Sequence, residues 1–231
     1  MNVLIACEES QEVCKAFRAK GHRAFSCDLQ ECSGGHPEWH IRNNALYYIN
    51  PRINLLGEEY NDFYTEDGEY HIVSGKWDLL IAHPPCTYLS SVGASRLFNP
   101  DHTIKDKARE VRGWEARSFF MQFYNADCEH IAVENPAPLR HFNLPGYSQI
   151  IEPYWFGDPW KKRTCLWLKG LPYLRPDKEV EPRGCWTIQG GGSTCRVRLK
   201  GPRGARTAKE RSKTFPGIAR AMAEQWGGDE K

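Results

Sequence analysis

Two short apolar runs about fifty residues apart, Leu79-Leu80-Ile81-Ala82 and Ile131-Ala132-Val133, each break off in polar residues and proline. The first is followed by His83-Pro84-Pro85-Cys86-Thr87 and the second by Glu134-Asn135-Pro136. Short unbroken apolar runs are what strands covered on both faces of a parallel sheet look like. Proline cannot extend a strand ladder, so each run must stop where it does. The chain should therefore deliver a thiol, Cys86, and a carboxyl, Glu134, to the carboxyl edge of one sheet, where open α/β sheets hold their ligands. Together there, the two groups can add to an electron-poor ring and protonate it. Taken singly, each run is an ordinary strand stop and Cys86 a small buried filler. The pair, in this order, carries the chemistry.

The rest of the chain reads as α/β. Val3 to Cys7 is a short β run, Ser10 can cap a helix that Gly21 stops, and Arg23 to Cys27 is a second strand closed by Asp28, so the chain opens with a β-α-β unit. From 47 to 76 lies a stretch rich in acids and aromatics, with a hairpin signal around Asp67-Gly68, expected to be a surface insertion. A long helix is expected from about Lys105 to Asn125, with Ala108, Val111, Ala116, Phe119, Phe120 and Phe123 on its apolar side. Strands are expected over His130 to Val133, Ser148 to Glu152 and Thr164 to Leu168, and a closing helix over Ile218 to Trp226 after Pro216-Gly217.

With 231 residues, 40% of them hydrophobic and 26% charged, the chain has the make-up of one globular domain. No apolar run approaches a membrane span and Met1-Asn2 leads straight into a strand pattern, which predicts a cytoplasmic protein with no membrane partner. Nine irregularly spaced cysteines argue for reduced thiols over a disulfide framework. Net charge is only +2, yet the stretch from Arg196 to Lys213 carries eight basic residues against one acid, Glu210. A glycine-rich basic segment suits a phosphate backbone, with Arg203, Arg206 and Arg211 as contacts; a solvated loop is the plainer alternative.

In order, the first strand and turn, the acid after the second strand, Pro84-Pro85-Cys86-Thr87, Glu134-Asn135-Pro136, Thr164-Cys165-Leu166-Trp167-Leu168 and Pro216-Gly217-Ile218-Ala219 resemble the S-adenosylmethionine-dependent DNA cytosine-5 methyltransferases, and more narrowly their compact phage and prophage members. The resemblance spans nearly the whole chain. It implies an α/β fold: a single Rossmann-like methyltransferase domain over 1–231, with a mixed, mostly parallel sheet flanked by helices. The basic Pro/Gly-rich region 170–214 would stand in place of a full target-recognition domain. The implied activity, of the restriction-modification kind, is methyl transfer to C5 of cytosine in DNA.

In that reading Cys86 adds to C6 of the ring, and Glu134 holds the ring through N3 and the exocyclic amine. Lys161 and Arg163, just before the strand at Thr164, match basic positions of the family's late motif; Arg163 is grouped with the catalytic residues and Lys161 with the DNA contacts. Asn135 braces the loop carrying Glu134, and His83 is structural. The cofactor S-adenosylmethionine is expected against Cys7, Glu8, Glu9, Ser10 and Gln11, with Asp28 and Leu29 at the ribose, Asn44 near the adenine, and Pro84. The family's glycine-rich first turn is replaced by Glu8-Glu9-Ser10-Gln11-Glu12, which has no glycine. Cys27, Cys32, His36 and His40 lie close together, but the segment between them is short for a structural zinc site, and no metal is expected. Two alternatives remain. An amino-group DNA methyltransferase would want an acid or asparagine before Pro-Pro and an aromatic where Cys86 stands. A non-catalytic DNA-binding protein keeping the same fold draws its support from the glycine-free turn.

Overall fold

The computed structural model describes residues 1–186 and 207–228; Arg203 and Arg206, the expected phosphate contacts, lie outside the described residues. The strands are β1 (Asn2–Ala6), β2 (Arg23–Asp28), β3 (His40–Arg42), β4 (Arg52–Ile53), β5 (Glu59–Tyr64), β6 (Tyr70–Ser74), β7 (Leu79–Ala82), β8 (Ile131–Asn135), β9 (Gln149–Ile151), β10 (Trp160–Lys161), β11 (Thr164–Lys169) and β12 (Gly184–Cys185). The helices are α1 (Glu12–Ala19), α2 (Ala94–Leu97), α3 (Lys107–Tyr124), α4 (Ala208–Ser212) and α5 (Pro216–Trp226).

Seven strands form one sheet in the order β3-β2-β1-β7-β8-β11-β9. The first five run parallel; β11 runs antiparallel to them, and β9, antiparallel to β11, returns to their direction at the edge. This is an α/β architecture with a mixed, mostly parallel sheet flanked by helices, compatible with a Rossmann-like fold. The sequence rule for strands explains which helix covers which face. Successive side chains alternate, so Leu4, Ala6, Leu80, Ala82, Ile131 and Val133 pack with Phe120 and Phe123 of α3. Val3, Ile5, Leu79, Ile81 and Ala132 pack on the other face with Phe17 of α1 and Met222 of α5. Full burial of each large aliphatic or aromatic side chain is worth roughly 1.5–3 kcal/mol, so the central strands are fixed before any polar contact is considered.

Four expectations need correcting. Ser10 does not cap α1: the N-cap is Gln11, in the left-handed region at φ 59, and the first-turn amides are taken by Glu8, whose Oε1 accepts from Val13 N at 2.7 Å and Oε2 from Cys14 N at 3.2 Å. The 47–76 insertion is not confined to the surface; β4, β5 and β6 form a small antiparallel sheet whose Phe63 and Val73, with Trp77, are buried against Phe25. On α3, Val111 points outward at 57% exposure, while Gly113 is buried because the Phe142 ring occupies the space where a side chain would stand. Among the described residues seven cysteines are free thiols and Cys185 is disulfide-bonded, a departure from the reduced thiols that the cysteine spacing argued for. Among the described residues no helix is long and apolar enough to cross a membrane.

Candidate active site

β7 and β8 lie side by side in register, with Ala82 opposite Val133. The next residue of each strand therefore emerges at the same level of the sheet edge, and these residues are His83 and Glu134. His83 Nδ1 and Glu134 Oε2 are 2.8 Å apart. Pro84 and Pro85 then carry the chain off the sheet, and a turn in which Leu89 and Ser90 amides both donate to the Cys86 carbonyl folds the thiol back. Asn135 Nδ2 donates to the Pro84 carbonyl at 2.7 Å, so Asn135 braces the Cys86 loop and not only its own.

The charges around the pair differ from those expected. Burial alone would raise the Glu134 carboxyl, but the hydrogen bond to His83, the Lys162 ammonium and a hydrogen bond from Thr214 together hold it down to about 2. His83 shifts the other way: burial disfavours its charged form, and the hydrogen bond and charge of Glu134 overcome that and raise it. The two form an ion pair with side chains 10% and 13% exposed. Cys86 is raised, first by burial and then by the Glu134 charge, with Lys162 and Arg211 opposing. Its resting form at neutral pH is the thiol.

Lys162 is the cation that reaches both reactive groups, and the sequence reading passed over it for its neighbours. Lys161 ends β10, Lys162 and Arg163 lie between β10 and β11, and the three meet different partners. The Lys161 ammonium lies 6.0 Å from the Tyr154 ring centre. Arg163 acts on Glu152 and Cys165, and its buried Nε has no hydrogen-bond partner. Lys162 Nζ instead donates to the Lys213 carbonyl at 3.2 Å, tying the segment before α5 to the edge. Of the late basic residues it is thus Lys162, and not the expected Arg163, whose charge acts on Cys86 and Glu134.

A cleft of ≈ 560 Å³ opens beside Cys86, a size suited to a small organic ligand. Of the expected cofactor residues it brings together Cys7, Glu8, Glu9, Ser10 and Asp28; Gln30 and Thr87 join them, and Lys209, Arg211, Lys213 and Thr214 form a basic wall. Arg211, expected as a DNA contact, therefore lines the cleft beside the candidate nucleophile. Four expected residues are not brought to it. Gln11 is spent inside the fold, its amide bonded to Ser26 Oγ and to the His36 backbone. Leu29 is 72% exposed. Asn44 caps a short turn by accepting from Leu46 N, and Pro84 offers its carbonyl to Asn135. The glycine-free turn is still sharp, because Cys7 takes a φ of 61 without being glycine.

Among the described residues no cluster of His, Cys, Asp and Glu is arranged to hold a metal. Cys27 donates to the Asn43 carbonyl, His40 is hydrogen-bonded to Ser26 Oγ through Nδ1 and to the Gln30 carbonyl through Nε2, and His36 stacks on Trp39. No family model and no curated protein matches the chain.

Proposed function

We propose that this chain is a compact S-adenosylmethionine-dependent DNA cytosine-5 methyltransferase. The observation that carries the reading is the convergence, at the ends of adjacent parallel strands, of a cysteine, a buried carboxylate and a lysine that touches the field of both. An amino-group methyltransferase has no use for the thiol, and a binding protein has no use for a buried ion pair beside it.

In this reading Cys86 Sγ bonds to C6 of a flipped cytosine while Glu134 holds N3, which makes C5 nucleophilic. Lys162 and Arg211 favour the thiolate that must form first. The bound cofactor supplies the methyl group. The residues fit such a group in one respect that geometry can judge: Asp28, closing β2, borders the cleft and can accept both ribose hydroxyls, as acids do at that position in dinucleotide folds. Glu8 is not available to an ammonium group, since both its oxygens are used at the start of α1. Glu9, whose carboxylate lies 3.7 Å from Lys209 and accepts from Ser33 Oγ, is the remaining acid there.

The test is a duplex containing cytosine fluorinated at C5, which cannot lose that substituent once the methyl is on. Protein, cofactor and this duplex should give a denaturation-resistant complex that is missing in Cys86→Ser. Methylation that survives Cys86→Ala would reject the mechanism.

A further inference from the structure

His83 enters the sequence reading as a structural residue, but its surroundings are not those of a brace. A buried imidazole that only holds a strand end is normally satisfied at both nitrogens. His40 is such a case, bonded through Nδ1 to Ser26 Oγ and through Nε2 to the Gln30 carbonyl. Among the described residues His83 is held at one nitrogen only, by the Glu134 carboxylate at 2.8 Å, and its buried Nε2 has no hydrogen-bond partner there. Its ring borders the same cleft as Cys86. The charged groups facing it are Glu134 on β8, Glu8 in the turn after β1 and Lys162 ahead of β11. Glu8 has both oxygens committed to the amides of Val13 and Cys14, and Lys162 repels a proton, so among the described residues Glu134 is the one partner that can exchange a proton with Nδ1.

We propose that His83 and Glu134 hold one proton between them, and that this is the proton the target ring takes at N3 when Cys86 adds to C6; the inference rests on the cytosine-5 reading above. At rest the proton sits on His83 Nδ1 and Glu134 is a carboxylate, which by itself has nothing to donate. Cys86 first gives its own proton to solvent. The thiolate then forms the S–C6 bond as the shared proton leaves Nδ1 for Oε2, turns with the carboxyl about its terminal bond and forms the N3–H bond. His83 is left neutral and Glu134 ionised. The charge balances: an anionic thiolate and a cationic imidazolium give a neutral adduct and a neutral imidazole. Elimination of Cys86 returns the proton along the same path. His83 acts through Glu134 and is a positioning residue that stores the proton.

Exchange of the cytosine C5 hydrogen for solvent deuterium tests this with the full chain and duplex DNA, since reversible addition at C6 is enough to cause it and no cofactor is needed. His83→Asn keeps an N–H near the place of Nδ1 but carries no titrating proton. Its exchange rate at neutral pH should fall roughly a hundredfold and its optimum should move to lower pH, where Glu134 must take its proton from solution. An unmoved optimum overturns the proposal, because a bracing role is rescued by the asparagine. Nitrogen NMR of the unaltered protein gives a second arm independent of turnover: His83 should be doubly protonated at neutral pH and become neutral in Glu134→Gln. A neutral His83 in the unaltered protein overturns the proposal. If the unaltered protein exchanges no hydrogen at any pH, the cytosine-5 reading itself fails and takes the proton relay with it, an outcome distinct from normal exchange with an unmoved His83→Asn optimum.

Discussion

Asn135 Nδ2 donates to the Pro84 carbonyl at 2.7 Å, so the residue after the candidate acid holds the loop that carries the candidate nucleophile. Asn135 is 1% exposed, so the bond is shielded from bulk water. Asn135→Ala should cost about 2 kcal/mol by leaving the Pro84 carbonyl unpaired. Because the damage is to alignment, trapping on fluorinated DNA should fall more steeply than folding stability does. Denaturant unfolding and adduct yield, measured on the same preparation, check this; full adduct yield in a destabilised variant would show that the tie is only structural.

That bond also marks how far the sequence could be read. The two strand stops, their parallel pairing and the meeting of Cys86 with Glu134 follow from unbroken apolar runs ending at proline, because such runs fit only the interior of a parallel sheet. What bridges the two motifs does not follow. Asn135 and His83 are polar residues at strand ends, where turns and caps use the same types. Lys162 stands between two equally basic neighbours, and only the groups each meets in the fold separate them: Glu134 and Cys86 for Lys162, Glu152 and Cys165 for Arg163. Gln11 escaped for a different reason: left-handed backbone at a non-glycine is not written in composition, and its side chain turned inward to hold the His36 loop.

The opposite charges at the edge make opposite predictions for the thiol. Lys162 lowers Cys86 and Glu134 raises it. Lys162→Met should therefore push the thiol further up and slow its alkylation at neutral pH, while Glu134→Gln should speed it. Arg163→Met, acting on Glu152 and Cys165 instead, should leave Cys86 unchanged. Peptide-resolved mass spectrometry after timed iodoacetamide treatment separates Cys86 from the other thiols. Equal effects of Lys162→Met and Arg163→Met would return the late basic cluster to an undivided role.

Gly113 and Gly217 are requirements of packing. A methyl at Gly113 would stand 2.0 Å from Phe142 Cζ, in a site where Phe142 is fully buried. A methyl at Gly217 would stand 2.1 Å from the Phe156 carbonyl oxygen and disturb the bond from Gly217 N to Asp158 Oδ2 at 2.8 Å. Each glycine-to-alanine change should destabilise by about 1–3 kcal/mol, as overpacking does in filled cores. The second should cost more, since backbone cannot rotate away as a ring can. Thermal melts of the two single variants decide it, and a melt unchanged at Gly217→Ala would mean that the start of α5 is free to shift.

The His83–Glu134 pair should leave its mark on stability as a function of pH. Glu134 is held down to about 2 from the ordinary 4.5, so its contribution is complete above 4.5 and is lost as pH falls through about 2. His83 is raised above its ordinary 6.5, so its contribution is complete below 6.5 and is lost as pH rises through that higher value. The two limits leave a plateau from 4.5 to 6.5 in which the pair is fully formed. Removing one partner of a buried pair strands the other, and His83→Leu, which leaves no donor for Glu134, should cost roughly 3 kcal/mol on the plateau. The difference between the unaltered protein and the variant should shrink on both sides, toward acid as Glu134 is protonated and toward base as His83 loses its proton. Urea unfolding across this range measures it. A difference that stays constant from acid to base would mean that the ring and carboxylate meet as neutral packing partners and that the ion pair does not form in solution.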